Sequence, residues 1–418
     1  MSEDIIYSDK PETSLTQNKV RVLGLIRNKK ETTRSEIIKL TQLSAPTVTK
    51  IIDALIDEKV ITHDELGSSK GGRPPQIIRF DSKNNYVIGV DIGGTFVRAA
   101  LSNLDCEFSY EIHQSTEITN GFEGIMAQVG SLIEKLVIRA ESQNDRVFGI
   151  GVSVRGLVNS KTEKVAYSPV FKWTNVDIKN ALKKYTDLKI AIGNDAQLNA
   201  LGELFFGIGN KYDHFITFKL GFGIGAGIVV NRQPFQGWEG YTGEIGHIIV
   251  DPHSKKKGRE GIDGTLEVLA SGYGIEDVVK QMLNEGQKSS LADHLPSTID
   301  TRSVINAAIN GDELAAKVVD SACQYIGISI DTLIKLFNPQ AISLSGGMLR
   351  NNYLIKRIEE KVESSSLSPY KGKVPILPSS FGEEASLMGA ISLILQNILS
   401  LKYDDTPPAN NHSQATSE

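Results

Sequence analysis

The sequence predicts an α/β chain in two parts: a small helical head closed by a strand hairpin, then a large body of two glycine-turned lobes. Three observations predict it. Apolar residues recur at helical spacing up to Leu55. An apolar strand runs into a glycine pair at "YVIGVDIGGT", residues 86–95. A second strand runs into a second glycine cluster at "KLGFGIGAGIVVN", residues 219–231. At 418 residues the chain exceeds what one hydrophobic core usually organises. The expected bounds are a head over 1–82, a body over 83–400 and a polar tail over 401–418 that has almost nothing to bury.

Composition narrows the class. With 40% hydrophobic and 23% charged residues the chain reads as globular. No apolar run approaches the roughly 20 residues of a membrane helix, and the polar, acidic N-terminus does not resemble a signal peptide. The expectation is a cytoplasmic protein with no membrane partner. Cys106 and Cys323 are far apart and form no CxxC pair, against both a disulfide scaffold and a cysteine-rich zinc site. The net charge of −5 hides an asymmetry: residues 17–80 hold seven Lys and five Arg against three Asp and four Glu, +5, leaving −10 elsewhere. A basic head on an acidic body fits nucleic-acid binding by the head.

In the head, Val20, Leu23 and Ile26 or Leu25 give one helix within residues 17–30. A second helix is expected over about Thr33 to Thr41. A third follows after a very short break, with Ser44 as N-cap, Pro46 in the first turn, and Val48, Ile51 or Ile52, and Leu55 as the buried stripe. Thr47, Thr49, Lys50 and Asp53 then face outward. Two short helices joined this way form either an ordinary helical hairpin or a helix-turn-helix, in which Ser44, Thr47, Thr49 and Lys50 would approach DNA: short hydroxyl side chains admit the helix to a major groove and the lysine meets a phosphate. "VITHDELGSSKGGRPPQIIRF" reads as strand Val60 to Thr62, a Gly/Ser/Lys-rich tip, then strand Gln76 to Phe80, the wing of a winged helix. Arg73, between glycines and prolines, is placed to enter a minor groove, with a plain basic loop as the alternative.

In the body, Asp91 ends a strand before Gly93, Gly94 and Thr95. A carboxylate there can order magnesium waters, and a Gly-Gly-Thr turn lets N–H groups and a hydroxyl approach a phosphate. Gly221 and Gly223 in the second cluster suggest the other half of a duplicated phosphate-binding cleft. In "IAIGNDAQLNALGELFFG", residues 190–207, a strand ends at Asn194 and Asp195 and a helix begins at once. Asp195 there is either a general base for a substrate hydroxyl or a helix cap. Glu244 and His247 stand three apart, and Glu267 opens an apolar helix. Carboxylates and an imidazole suit paired hydrogen bonds to sugar hydroxyls, and a metal site is the competing use.

These residues resemble the ROK family of repressors and sugar kinases, over about residues 14–400. The family's DxGxT run matches Asp91 to Thr95, its catalytic Asn-Asp pair matches Asn194 and Asp195, its sugar-binding GExGH matches Gly243 to His247, and a further sugar-binding glutamate matches Glu267. "NPQAISLSGGM", with Gly346 and Gly347, is similar to the segment lying against the nucleotide's adenosine. The resemblance implies two ribonuclease-H-like lobes, as in actin and hexokinase, closing on a sugar. With a winged head it implies a repressor answering to a sugar or sugar phosphate, bound to operator DNA as a homodimer or tetramer. The alternative is an ATP- and Mg²⁺-dependent sugar kinase that retains its head, with Asp195 as catalytic base.

The departures are specific. Gly258, Glu260 and Thr265 stand where family members carry the cysteines of a CxCGxxGC zinc motif, so zinc is expected to be absent and the Lys- and Gly-rich loop Pro252 to Gly264 to be ordered by other contacts or mobile. Phe222 replaces the threonine of the second phosphate turn. Arg155 replaces a proline, and either prefers an acidic or phosphorylated sugar or lies on the outer surface. Val170 replaces a sugar-contacting asparagine. Losing that partner costs a buried sugar hydroxyl on the order of 1 to 3 kcal/mol.

Overall fold

A computed structural model describes residues 18–400 apart from positions 20, 21, 24, 27, 28, 66–75, 82, 83, 259, 260, 294, 296, 297, 350 and 351. The chain divides into two compact units, Met1–Lys83 with Leu395–Glu418, and Asn84–Ile394.

The first unit begins with helical residues between 18 and 29, whose Val22, Leu23 and Ile26 are buried. Val20 lies outside the described residues. Helix α1 spans Arg34–Thr41 and is capped by Thr33, whose side chain accepts from the Glu36 N–H. Gln42 takes a left-handed φ of 56° and turns the chain within three residues into helix α2, Ala45–Asp57. Ser44 caps α2 by accepting from the Thr47 N–H, and Val48, Ile51, Ile52 and Leu55 are all buried. Arg34 braces the helix pair by donating to Asp53 at 2.6 Å.

Strand β1, Ile61–Glu65, pairs antiparallel with β2, Gln76–Phe80. The strand thus starts one residue later than expected and runs three further, through His63, Asp64 and Glu65. Backbone pairing with β2 carries it on where the side chains carry no apolar signal. Thr32 adds a bridge to Ile78, with N–H to O distances of 3.0 and 2.7 Å. A buried ion pair joins Lys19 to Glu58 at 3.1 Å.

The second unit repeats one sheet topology. In the first lobe β3 (Asn85–Ile92), β4 (Phe96–Asn103) and β5 (Phe108–Ser115) form an antiparallel meander. Strands β6 (Arg146–Val154) and β10 (Ile190–Asn194) then add in parallel, giving the order β10-β6-β3-β4-β5. Between them β7 (Leu157–Val158), β8 (Val165–Ser168) and β9 (Trp173–Val176) make a small three-stranded sheet. Helix α3, Gly121–Ser142, buries Ile125, Met126, Val129, Leu132, Ile133 and Leu136, which cluster with the inward residues of β3, β4 and β6. A short helix α4, Ile178–Leu182, precedes β10.

In the second lobe β11 (Phe215–Leu220), β12 (Ile224–Val230) and β13 (Gln233–Pro234) are the meander, and β14 (Ala341–Ser345) and β15 (Ile376–Pro378) the parallel additions, in the order β13-β12-β11-β14-β15. This repeat is what a pair of ribonuclease-H-like lobes requires. Helix α5, Asp195–Phe206, runs from the end of β10 onto β12. Helices α6 (Leu266–Ala270), α7 (Gly272–Asn284), α8 (Thr301–Ile309), α9 (Glu313–Phe337) and α10 (Asn352–Ser365) complete the second lobe, and α11 is Ala385–Ser400. The glycines of β6 have a steric cause: a Cβ at Gly151 would fall 1.8 Å from the carbonyl oxygen of Ala390, so α11 lies directly on the strand.

The duplication sets two positions in register. Ile92 pairs with Val97 across the first glycine turn, and Leu220 with Ile224 across the second. Asp91 and Lys219, each one residue before the end of its strand, therefore hold equivalent places in the two lobes.

Candidate functional site

The body places Asp91 and its glycine turn at the end of β3, Gly221 and Gly223 after β11, and Asn194 at the end of β10. Asp91 is buried at the end of β3; it accepts from Arg98 at 2.7 Å on one oxygen and from Ser153 at 2.8 Å on the other. Burial pushes its carboxyl up, but the charges of Lys219 and Arg98 and the bonds from Arg98 and Ser153 outweigh that and hold it below the usual range. Gly93 and Gly94 form the turn, and Thr95 is exposed beside them. Thr116 ties the turn down, donating from its hydroxyl to the Gly93 carbonyl at 2.7 Å. Val170 lies against this turn: a Cβ at Gly94 would come 2.9 Å from Val170 Cγ1.

The Asn-Asp pair divides its work. Asn194 is the N-cap of α5, its Oδ1 accepting from the N–H groups of Ala196 and Gln197, while its Nδ2 donates to the Gly156 carbonyl at 2.9 Å. The capping role considered for Asp195 thus belongs to Asn194. Asp195 is the first residue of the helix, nine-tenths buried, and its Oδ2 accepts from Lys219 Nζ at 2.6 Å. Lys219 also donates to Ser386 at 2.8 Å.

Glu244 and His247 sit in a short turn, Glu244 Oε2 3.9 Å from His247 Nε2, with Glu244 half-buried and His247 exposed. Burial, then the charges of Asp195 and Glu267, push the Glu244 carboxyl up to about 7, with Arg155 pulling it down. Glu267, in the first turn of α6, accepts from Arg155 at 3.3 Å and from the Ile224 N–H at 3.2 Å. Arg155 is 21% exposed, so it is a cleft residue rather than an outer-surface one, and its charge is matched by Glu267. His247 and Glu267 share a pocket with Pro169, Ile262 and Val268, so hydroxyl-binding groups stand beside an apolar wall.

The second turn holds Gly221 and Gly223, with Phe222 43% exposed between them. Phe222 stacks edge-on to Tyr273 at 6.0 Å and lies under the Arg155 guanidinium at 5.7 Å. Gly346, at φ 106°, packs its Cα on the Leu220 carbonyl, and nothing stands within 4 Å of a Cβ placed at Gly347.

The described residues of the loop after Pro252 are tied together by their own backbone. Gly264 donates to Lys256, Gly258 to Ile262, and Lys257 bridges Asp263. Asp251 anchors its start, accepting from the Tyr325 hydroxyl at 3.2 Å and the His253 N–H at 3.0 Å. Among the described residues no group of three or more His, Cys, Asp or Glu stands together as a metal site. Glu260 lies outside the described residues.

In the head, Ser44, Thr49 and Lys50 are exposed along α2, and Thr47 is half-buried with its hydroxyl 2.7 Å from that of Ser44. Arg73 lies outside the described residues. Among the described residues no helix is long and apolar enough to cross a membrane.

Three cleft residues escaped the sequence reading. Lys219 is the one charged residue in the strand FITFKL, a signal that was present. Arg98 lies across the hairpin from Asp91, legible only once the register is known. Ser386 meets Lys219 over 167 residues of chain and has no local signal.

Comparison with known proteins agrees with the geometry. The model of the ROK family matches residues 87–397. The xylose repressor of Caldicellulosiruptor bescii is 28% identical over 385 residues, covering 92% of this chain and 96% of its own. The crystal structure of a ROK family transcriptional regulator, a homologue of the Escherichia coli MLC protein, superposes with a TM-score of 0.79 at 28% identity, covering 93% of this chain and 98% of its own. A ROK family glucokinase from Streptomyces griseus, in complex with glucose and AMPPNP, gives 0.66 at 26% identity over 74% of this chain and 98% of its own. With its repeated lobes, its Asp91 turn and its Glu244 and His247 pair, this chain belongs to the ROK family.

Proposed function

We propose that this chain is a sugar-responsive transcriptional regulator, a repressor of carbohydrate uptake or catabolism genes. On this reading the cleft holds the effector, with Asp195, Glu244, His247 and Glu267 meeting its hydroxyls, and α2 with its wing meets operator DNA. The observation that carries the reading is the pairing of a helix-turn-helix unit with that cleft in one chain, supported by a likeness that spans 92% of this chain for a xylose repressor and 93% for a ROK regulator of known structure. The glucokinase likeness covers 74% of this chain. On this reading the heads act in pairs on a palindromic operator, and the effector acts by favouring one cleft conformation, a coupling of about 1 to 3 kcal/mol.

The experiment is an operator titration of the full chain on DNA upstream of its own gene, repeated with pentoses, hexoses and N-acetyl sugars. At least one sugar changes the operator affinity. No retardation of that DNA, or no change with any sugar, contradicts the reading. Sugar kinase is the second reading, favoured by the presence of Asp91, Thr95 and Asp195 in their turns.

A further inference from the structure

We propose that the ammonium of Lys219 is the cleft's resident cation, engaging the Asp195 carboxylate that a magnesium–nucleotide complex would otherwise meet, so that the effector is held without metal or ATP.

The residues present do not fit that complex. Lys219 Nζ stands 2.6 Å from Asp195 Oδ2 and 2.8 Å from Ser386 Oγ, a fixed geometry with two partners from distant parts of the chain. The other Asp195 oxygen accepts from the Ala196 N–H at 2.9 Å. Both oxygens of Asp91 are likewise taken, by Arg98 and Ser153. A dication brought here meets carboxylates already neutralised and two fixed positive charges that repel it. A proton leaving a sugar hydroxyl would have to displace an ammonium from Asp195.

The fold explains why one lysine suffices. The two lobes repeat one topology, and Lys219 holds in the second lobe the place that Asp91 holds in the first. Opposite charges at equivalent positions complement each other across the pseudo-symmetric cleft, and the charge of Lys219 acts on Asp91 as well as Asp195. The next turn agrees: Phe222, paired with Tyr273 and Arg155, presents a ring where a phosphate needs a hydroxyl or an open glycine turn.

The proposal rests on the regulator reading for what the cleft is for, but its test needs no operator. Mn²⁺ binding to the full chain is read by electron paramagnetic resonance without sugar, in wild type, Lys219→Met and Lys219→Arg. Wild type and Lys219→Arg show no site, and Lys219→Met binds Mn²⁺ at least about tenfold tighter than either, because Asp195 loses its cation. In a second arm wild type is given Mg²⁺, ATP and the sugar panel, and neither its thermal midpoint nor any sugar responds to the nucleotide. A wild-type Mn²⁺ site, phosphate transfer to any sugar, or a Lys219→Met affinity equal to wild type overturns the proposal. If Lys219→Met does not fold, Lys219→Gln replaces it with the same expected gain. Operator shifts run on the same preparations separate the two failures, since a chain deaf to sugar on DNA but without a metal site sinks only the regulator reading.

Discussion

Arg155 donates to Glu267 at 3.3 Å, and the pair passes directly over the Cα of Gly223, where a Cβ would lie 1.6 Å from Arg155 Nη2 and 2.2 Å from Glu267 Oε2. The glycine of the second turn thus has a steric cause in a charge pair of this chain.

Gly223→Ala should therefore part Arg155 from Glu267. Because Glu267 is also anchored by the Ile224 N–H, its displacement disturbs the sugar side of the cleft. Effector affinity is expected to fall about tenfold or more and stability by about 1 to 3 kcal/mol. Calorimetric titration with the effector sugar checks the first, and denaturant unfolding the second. Unchanged affinity would place the effector elsewhere.

Glu244 predicts a pH dependence. Its folded carboxyl sits at about 7 against an ordinary 4.5, so folding favours the protonated form. The stability this contributes is complete below about 4.5 and is lost as pH rises through about 7. Wild type should lose thermal midpoint between pH 5 and pH 8 relative to Glu244→Gln. Sugar hydroxyls need the ionised acceptor, so effector affinity should rise over the same interval and be flat in the variant. A shared profile for both proteins would remove Glu244 from the site.

Local signals carried the head and the turns, while long-range pairings stayed hidden. Thr33 and Ser44 cap helices that apolar spacing places within a residue, since capping and burial are both local. The glycine turns after β3 and β11 were legible because strand, turn and strand are contiguous. The Arg155 partner lies 112 residues away, which is why its surface and cleft readings stayed open. Lys219 is the one charge in the strand FITFKL, and its role shows only with Asp195 brought to it at the start of α5. The Thr32 bridge to Ile78 was missed for the same reason.

The head holds a charge pair whose loss should be costly. Lys19 and Glu58 have side chains only 3% and 6% exposed. Glu58→Ala leaves a buried ammonium without its carboxylate, at about 3 to 5 kcal/mol, whereas Lys19→Met with Glu58→Leu should recover most of that. Hydrogen exchange in α2 reads both. Equal protection in the single variant and wild type would contradict the burial of the pair.

On the outer face of α2, Lys50→Ala should weaken operator binding uniformly across sequences and lower the slope of log affinity against log salt by about 1. Ser44→Ala should cost about 1 kcal/mol of head stability through the lost cap. Fluorescence anisotropy over a salt series distinguishes a phosphate contact from a base contact. An unaltered slope for Lys50→Ala would move the DNA away from this face.

The most direct test of the regulator account is operator affinity of the full chain measured with and without each sugar, beside the variant Glu244→Gln/Glu267→Gln. The account predicts that one sugar shifts wild-type affinity by about 5- to 150-fold and leaves the double variant unmoved on the same DNA. A wild-type affinity indifferent to every sugar, or a double variant that responds as wild type does, would contradict it.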